Sequence, residues 1–435
     1  MEIRDDRFAR YGFRSADILL PKKDLDAEKW AVVACDQYTS ERDYWKAVED
    51  FTEGSPSTLN LIFPECYLEE PGKEERIQSI NEMMEGYLED EVLDEYRDSF
   101  ILVERTTESG TRYGLMAALD LERYDYSKDS VSLIRATEGT ILDRIPPRKE
   151  IRRNASLELP HIMVLISDRE RAIIEPLRDR KDELQLVYDT DLMMNGGHIR
   201  GYLVNSESDV EGILEGFGNL YEKLDPENPL LFAMGDGNHS LATAKSCWED
   251  LKKTLTEEER ENHPARFALV ELENIYDEGL MFEPIHRVFF NVKWHDFQDE
   301  LMKNSISVHL HRVADTAEIV RSINNSMKQE FGLINENGYY TVELTKPSAF
   351  LAAGTIQNVI DSLVRDGKCG IDYIHGIDVT EELGRKPGNI GVILPDVSKD
   401  TFFESILKDK AFPRKTFSIG HANEKRFYME ARKIR

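Results

Sequence analysis

The chain predicts a mixed α and β fold, an α/β class, and three observations carry that reading. Apolar runs of strand length alternate with segments of helical period along all 435 residues. A content of 40% hydrophobic and 32% charged residues is that of a packed protein with a solvated surface. Proline and glycine stand singly, with no internal repeat and no low-complexity linker, so the units are expected to pack and intertwine.

Taken in order, three units are expected. The first, residues 1–130, sets the apolar runs Trp30–Ala34 and Phe100–Val103 against an acidic helical segment from Lys73 to Leu93. The second, 131–295, offers Ile162–Ile166, Leu184–Tyr188, Leu230–Met234 and Phe267–Leu272 as strands. Within it, Asn195-Gly196-Gly197-His198 reads as a hairpin turn. The third, 296–435, opens a helix at Asp315 with Glu318 placed as in a capping box, and the stripe Ile319, Ile323, Met327, Phe331 continues it. Tyr339–Leu344 and Ile390–Leu394 read as strands, and Asn423-Glu424-Lys425-Arg426 as a solvated turn before a last strand.

Basic residues number 55 and acidic ones 83, a net charge of −28. That field repels nucleic acid, and no basic stripe with interleaved aromatics offsets it, so no nucleic-acid partner is expected. An anionic ligand would need cations gathered locally. Met1–Asp6 has no basic start followed by an apolar stretch, and no apolar run reaches membrane-spanning length. The expectation is a cytoplasmic protein without a membrane partner. Cys35, Cys66, Cys247 and Cys369 lie far apart with no Cys-x-x-Cys pair, as core thiols do and disulfide or zinc frameworks do not.

The most informative tract is 230–245. An apolar run ends at Gly235-Asp236-Gly237, and Leu241, Ala244, Trp248, Leu251 and Leu255 then step at helical spacing. A strand, a glycine turn and a helix N-terminus in succession gather backbone N–H groups and the positive end of a helix dipole, a natural seat for phosphate. Asp236, Asn238 and His239 are expected at its mouth.

Asp236-Gly237-Asn238-His239-Ser240, with Ala242 and Ala244 behind it, resembles the Asp-Gly-His-His-Arg loop of the DUF1015 family. Thr58–Glu65, Glu283–Arg287 and Phe412–Phe417 resemble three further tracts of that family, in the same order. The resemblance implies a ParB/sulfiredoxin-like α/β core with N-terminal and C-terminal α/β additions, related to free-serine kinases. Two departures stand out: Asn238 replaces the first histidine of the loop, and Ser240 its arginine.

Under that resemblance the loop residues Gly235, Gly237, Asn238 and Ser240 hold phosphate, Asp236 holds Mg²⁺ directly or through water, and His239 donates to a phosphate oxygen. Arg148, Lys149 and Arg153, in the densest basic tract, and the pair His286-Arg287 are the expected substitute cations for the missing arginine. Asp36 and Glu41 follow an apolar run where the family has an early Pro-Tyr-Asp tract, and are the candidate bases. The expected activity is phosphoryl transfer from ATP or ADP to a small hydroxyl compound, free L-serine first. The alternative is a silent nucleotide-binding or regulatory protein of the same fold. The oligomeric state is left open.

Overall fold

Valine, leucine and isoleucine crowd the predicted strands because most of those strands are covered on both faces. In the Phe267–Asn274 strand, Phe267 and Leu269 enter one apolar cluster while Ala268, Val270 and Leu272 enter another on the opposite side. The structure, a computed structural model, describes residues 6–435. It divides into two units: the chain up to Met281 together with Gly420–Arg435, and Phe282–Ile419.

The first unit is built on a mixed sheet. Its order runs Gln185–Leu192, Gly197–Val204, Leu93–Thr107, Gly110–Asp120, Phe267–Asn274, Met163–Ile166, Phe232–Asp236, Ile134–Arg135, Tyr124–Asp125. Strands from both sides of residue 130 share this sheet. The Asn195–Gly197 turn does join two antiparallel strands, with Gly197 at φ +84°.

The C-terminal segment closes one face of this sheet. Phe427–Tyr428 pairs with Val32–Val33, Arg432–Lys433 with Leu157–Glu158, and the Trp30 indole donates to the Met429 carbonyl at 3.0 Å. Asn423–Arg426 is therefore not a solvated turn: Glu424, Lys425 and Arg426 are buried, because this segment must lie flat on the sheet to complete the apolar cluster with Phe427, Tyr428 and Met429.

The second unit is a six-stranded antiparallel sheet in the order Ser307–Val313, Gly338–Thr345, Gln329–Asn335, Ile390–Ile393, His286–Phe290, Gly370–Ile374. Helices Trp294–Lys303 and Ala352–Arg365 pack on one cluster, and Thr316–Asn325 on another. Asp315 caps that last helix by accepting from the Glu318 N–H at 2.9 Å. The expected stripe stops early. The helix ends at Asn325, Met327 is fully exposed, and Phe331 enters the core from a strand instead.

Candidate functional site

The strand Phe232–Asp236 pairs with Met163–Ile166, and the register slips between Met234 and Asp236. A bulge re-aims the next side chain. Phe232 and Met234 point into the apolar cluster below, whereas Asp236 stands opposite Met163, itself opposite Glu271 in the neighbouring strand. Asp236 and Glu271 thus share the face that the C-terminal segment covers. Gly237 follows at φ +79°, and a Cβ there would lie 3.1 Å from the Ile162 Cα, so glycine is demanded both by conformation and by space.

Helix Asn238–Leu251 starts at this glycine. Among the described residues no side chain caps it, and its first internal bond runs from the Leu241 N–H to the Gly237 carbonyl at 3.0 Å. The N–H groups of Asn238, His239 and Ser240 consequently face out of the helix end, where an anion would meet both them and the dipole.

Charged groups ring this end. Asp236 Oδ1 accepts from the Gly237 N–H at 2.8 Å, and Oδ2 lies 3.0 Å from the Lys425 Nζ. Burial pulls the Asp236 carboxyl upward, but the Lys425 ammonium and the Gly237 N–H outweigh it and hold the group below the usual carboxylate range. Asn238 fastens the loop to Thr137, accepting from its N–H at 3.2 Å, while the Thr137 hydroxyl donates to the Met234 carbonyl at 2.7 Å.

His239 Nε2 accepts from the Ile141 N–H at 3.3 Å. Burial, with Arg148 and Arg144 nearby, pushes its pKa down to about 4, so the ring is neutral and carries its proton on Nδ1. Arg148 pairs with Glu65 and donates to the Arg144 carbonyl at 2.8 Å. Burial raises the Glu65 carboxyl, and Arg148 moderates that rise. Asp36 lies 4.0 Å from the His161 Nε2, and the Tyr428 hydroxyl sits 2.8 Å from Nδ1 of the same ring. That hydroxyl also accepts the Cys35 N–H at 3.1 Å. Asp36 perturbs His239 and Glu65, and His161 perturbs Asp236 and Glu65, so these side chains form one electrostatic neighbourhood.

Of the residues expected from sequence, the loop residues, Arg148 and Asp36 come together here. Lys149 turns the other way and binds the Ser246 hydroxyl at 2.9 Å and Asp250 at 2.6 Å, two turns along the loop helix. Arg153 is exposed at the end of helix Ile145–Arg152. Glu41 is exposed at the start of helix Arg42–Thr52, whose N-cap it forms without a side-chain bond. His286 and Arg287 belong to the second unit. There His286 is buried and accepts the Leu394 N–H at 3.2 Å, and Arg287 donates to the Ile285 carbonyl at 2.6 Å. Lys425, His161, Glu65 and Tyr428 are the site residues that sequence reasoning did not single out. Glu65 alone had a signal, as the last residue of the tract Thr58–Glu65.

Comparison with solved structures gives eight matching chains. One is a free serine kinase in complex with AMP, at 10% identity over 74% of this chain and 91% of that one, TM-score 0.37. Another is SbnI with a C-terminal truncation from Staphylococcus aureus, at 10% identity over 72% and 85%, TM-score 0.37. A third is a conserved hypothetical protein from Pyrococcus furiosus, at 9% identity over 70% and 89%, TM-score 0.34. No curated protein matches the sequence. The family model described as "Protein of unknown function (DUF1015)" matches residues 19–364, well over half of the chain, and the chain therefore belongs to the DUF1015 family.

Proposed function

We propose that the first unit binds a nucleotide by its phosphates at the N-terminus of helix Asn238–Leu251 and transfers a phosphoryl group to the hydroxyl of a small compound, with free L-serine the best single candidate acceptor. One observation carries this reading: an uncapped helix end, a φ-positive glycine, the cations Lys425 and Arg148, and the carboxylates Asp236, Asp36 and Glu65 share one mouth.

The roles follow from the chemistry. The open N–H groups of residues 238–240 take phosphate oxygens, the His239 Nδ1–H donates to another, and Lys425 and Arg148 balance the charge of the group in flight. Asp36, beside His161, accepts the proton of the acceptor hydroxyl as its oxygen attacks phosphorus, while the electrons of the broken P–O bond leave with the nucleotide. Mg²⁺ was expected on Asp236. The Lys425 ammonium already stands 3.0 Å from one oxygen of that carboxylate, and a cation bound directly there would face this like charge, so a direct metal ligand does not fit, and no step is drawn through one.

The second reading, a silent nucleotide binder, has its own observation. Lys425 and Arg148 are each held by a carboxylate, and Ser240 offers no charge of its own. Incubation with Mg²⁺, ATP or ADP and a panel of free hydroxyl amino acids, followed by mass spectrometry, separates the two. The kinase reading expects a phosphorylated amino acid whose formation falls by about a hundredfold or more in Asp36→Asn. Saturable nucleotide binding with no product from any acceptor sinks it in favour of the binder.

A further inference from the structure

Helix Ile145–Arg152 presents different residues in two directions. Arg148 faces the site just described, whereas Lys149, Arg152 and Arg153 line a cavity of about 230 Å³ against the third and fourth turns of the loop helix. Arg435 brings a third guanidinium, and with Lys149 a fourth cation, to the rim, and Trp248, Leu251 and Ile434 supply an apolar wall. In a chain of net charge −28, four cations around one hollow are a local reversal of sign.

The acids nearby do not balance them. Asp250 pairs with Lys149, but Glu158, the partner of Arg152, is shared with Arg432, whose Nη2 lies 2.7 Å from it, so one carboxylate serves two guanidinium groups. Arg435 spends a donor on the Arg153 carbonyl, which costs no charge. Among the described residues the Arg153 guanidinium makes no hydrogen bond and no ion pair, yet it stands close enough, with Arg152 and Lys149, to act on the Cys247 thiol in the cavity wall.

We infer that this cavity is a second binding site, for a small organic anion: one phosphate or carboxylate group seated on Arg153 and Arg435, with an apolar body against Trp248, Leu251 and Ile434. The volume suits a molecule below drug size. Charge-assisted bonds from guanidinium groups supply both affinity and orientation, and the apolar wall separates such a ligand from inorganic phosphate.

Phenyl phosphate and benzoate are the probes, with benzyl alcohol as the uncharged control, titrated calorimetrically into the full-length protein. Alkylation of Cys247 by iodoacetamide is followed in parallel by peptide mass spectrometry. At least one anion is expected to bind saturably, to slow Cys247 alkylation while benzyl alcohol does not, and to lose about tenfold or more in affinity in Arg153→Gln and in Arg435→Gln. Both side chains are exposed, so neither replacement threatens the fold. Lys425→Met, at the other site, should leave this binding unchanged. Absence of saturable binding by either anion overturns the inference. So does binding that Lys425→Met weakens while Arg153→Gln and Arg435→Gln do not, or that leaves Cys247 equally reactive.

Discussion

Lys425 and Arg426 are neighbours in sequence, and each meets a carboxylate on the same face of the same sheet, yet they do different things. Arg426 Nη1 lies 2.7 Å from Glu271 and its Nη2 binds Glu430, with all three side chains at 0–1% exposure. Lys425 lies 3.0 Å from Asp236, whose side chain is 28% exposed. Two strands of lateral displacement separate the pairs, since Glu271 is opposite Met163 and Met163 opposite Asp236. Depth divides the structural ion pair from the chemically accessible one. In the dry pair each charge exists only because its partner does, whereas at the mouth water or a ligand can replace either member.

The largest effect that follows is on stability. Arg426→Met leaves Glu271 and Glu430 buried without their cation, and denaturant unfolding should show a loss of about 3–5 kcal/mol. A loss below about 1 kcal/mol would break the contrast, because Arg426 would then be no more structural than a surface residue. Lys425→Met is expected to do the reverse. Its cost in stability should stay near 1 kcal/mol or less, while nucleotide affinity falls by about 1.5–3 kcal/mol, the worth of a charged hydrogen bond. Equal binding by parent and variant would remove Lys425 from the site.

Gly237→Ala tests the loop between them. Forcing a Cβ into a φ of +79° and against the Ile162 backbone should cost about 1–2 kcal/mol in thermal or denaturant unfolding. A neutral or stabilising outcome would mean that the turn is not held as tightly as the bulge requires.

The smallest effect concerns pH. His239 has its pKa pushed from 6.5 to about 4 in the fold. Between those values the unfolded chain takes up a proton that the folded chain refuses, so this residue contributes stability above about pH 6.5 that is lost as pH falls toward 4. The ring is only partly enclosed, and after discount for solvent screening the contribution is about 1 kcal/mol. His239→Gln should flatten the stability curve by that amount over this interval, and an unchanged curve would assign the slope to other groups, with His286 the next to replace.

Much of this was legible in the chain where the deciding interactions are local. The bond from Glu318 N–H to Asp315 spans one helical turn, the Asn195–Gly197 hairpin needs only a positive φ, and the Gly235–Gly237 turn before the Leu241, Ala244, Trp248 stripe announces both strand end and helix start. Each is written within a few residues. The stripe from Ile319 to Phe331 misled because periodicity alone does not record that the helix ends at Asn325.

By itself the sequence determined the α/β class, the position of the loop and the spacing that orients its helix, since these rest on periodicity and on backbone preferences of single residues. Only the tertiary structure decided what surrounds the loop. A bulge of one residue turns Asp236 to the face where the C-terminal segment lies, and sheet register places Lys425 there beside it. Composition made Asn423–Arg426 look solvated because four polar residues in a row carry no local sign of burial. Lys425 and Arg426 meet Asp236 and Glu271, acids more than a hundred residues away, and such pairings follow from how strands are ordered in the sheet, which no short stretch of sequence encodes.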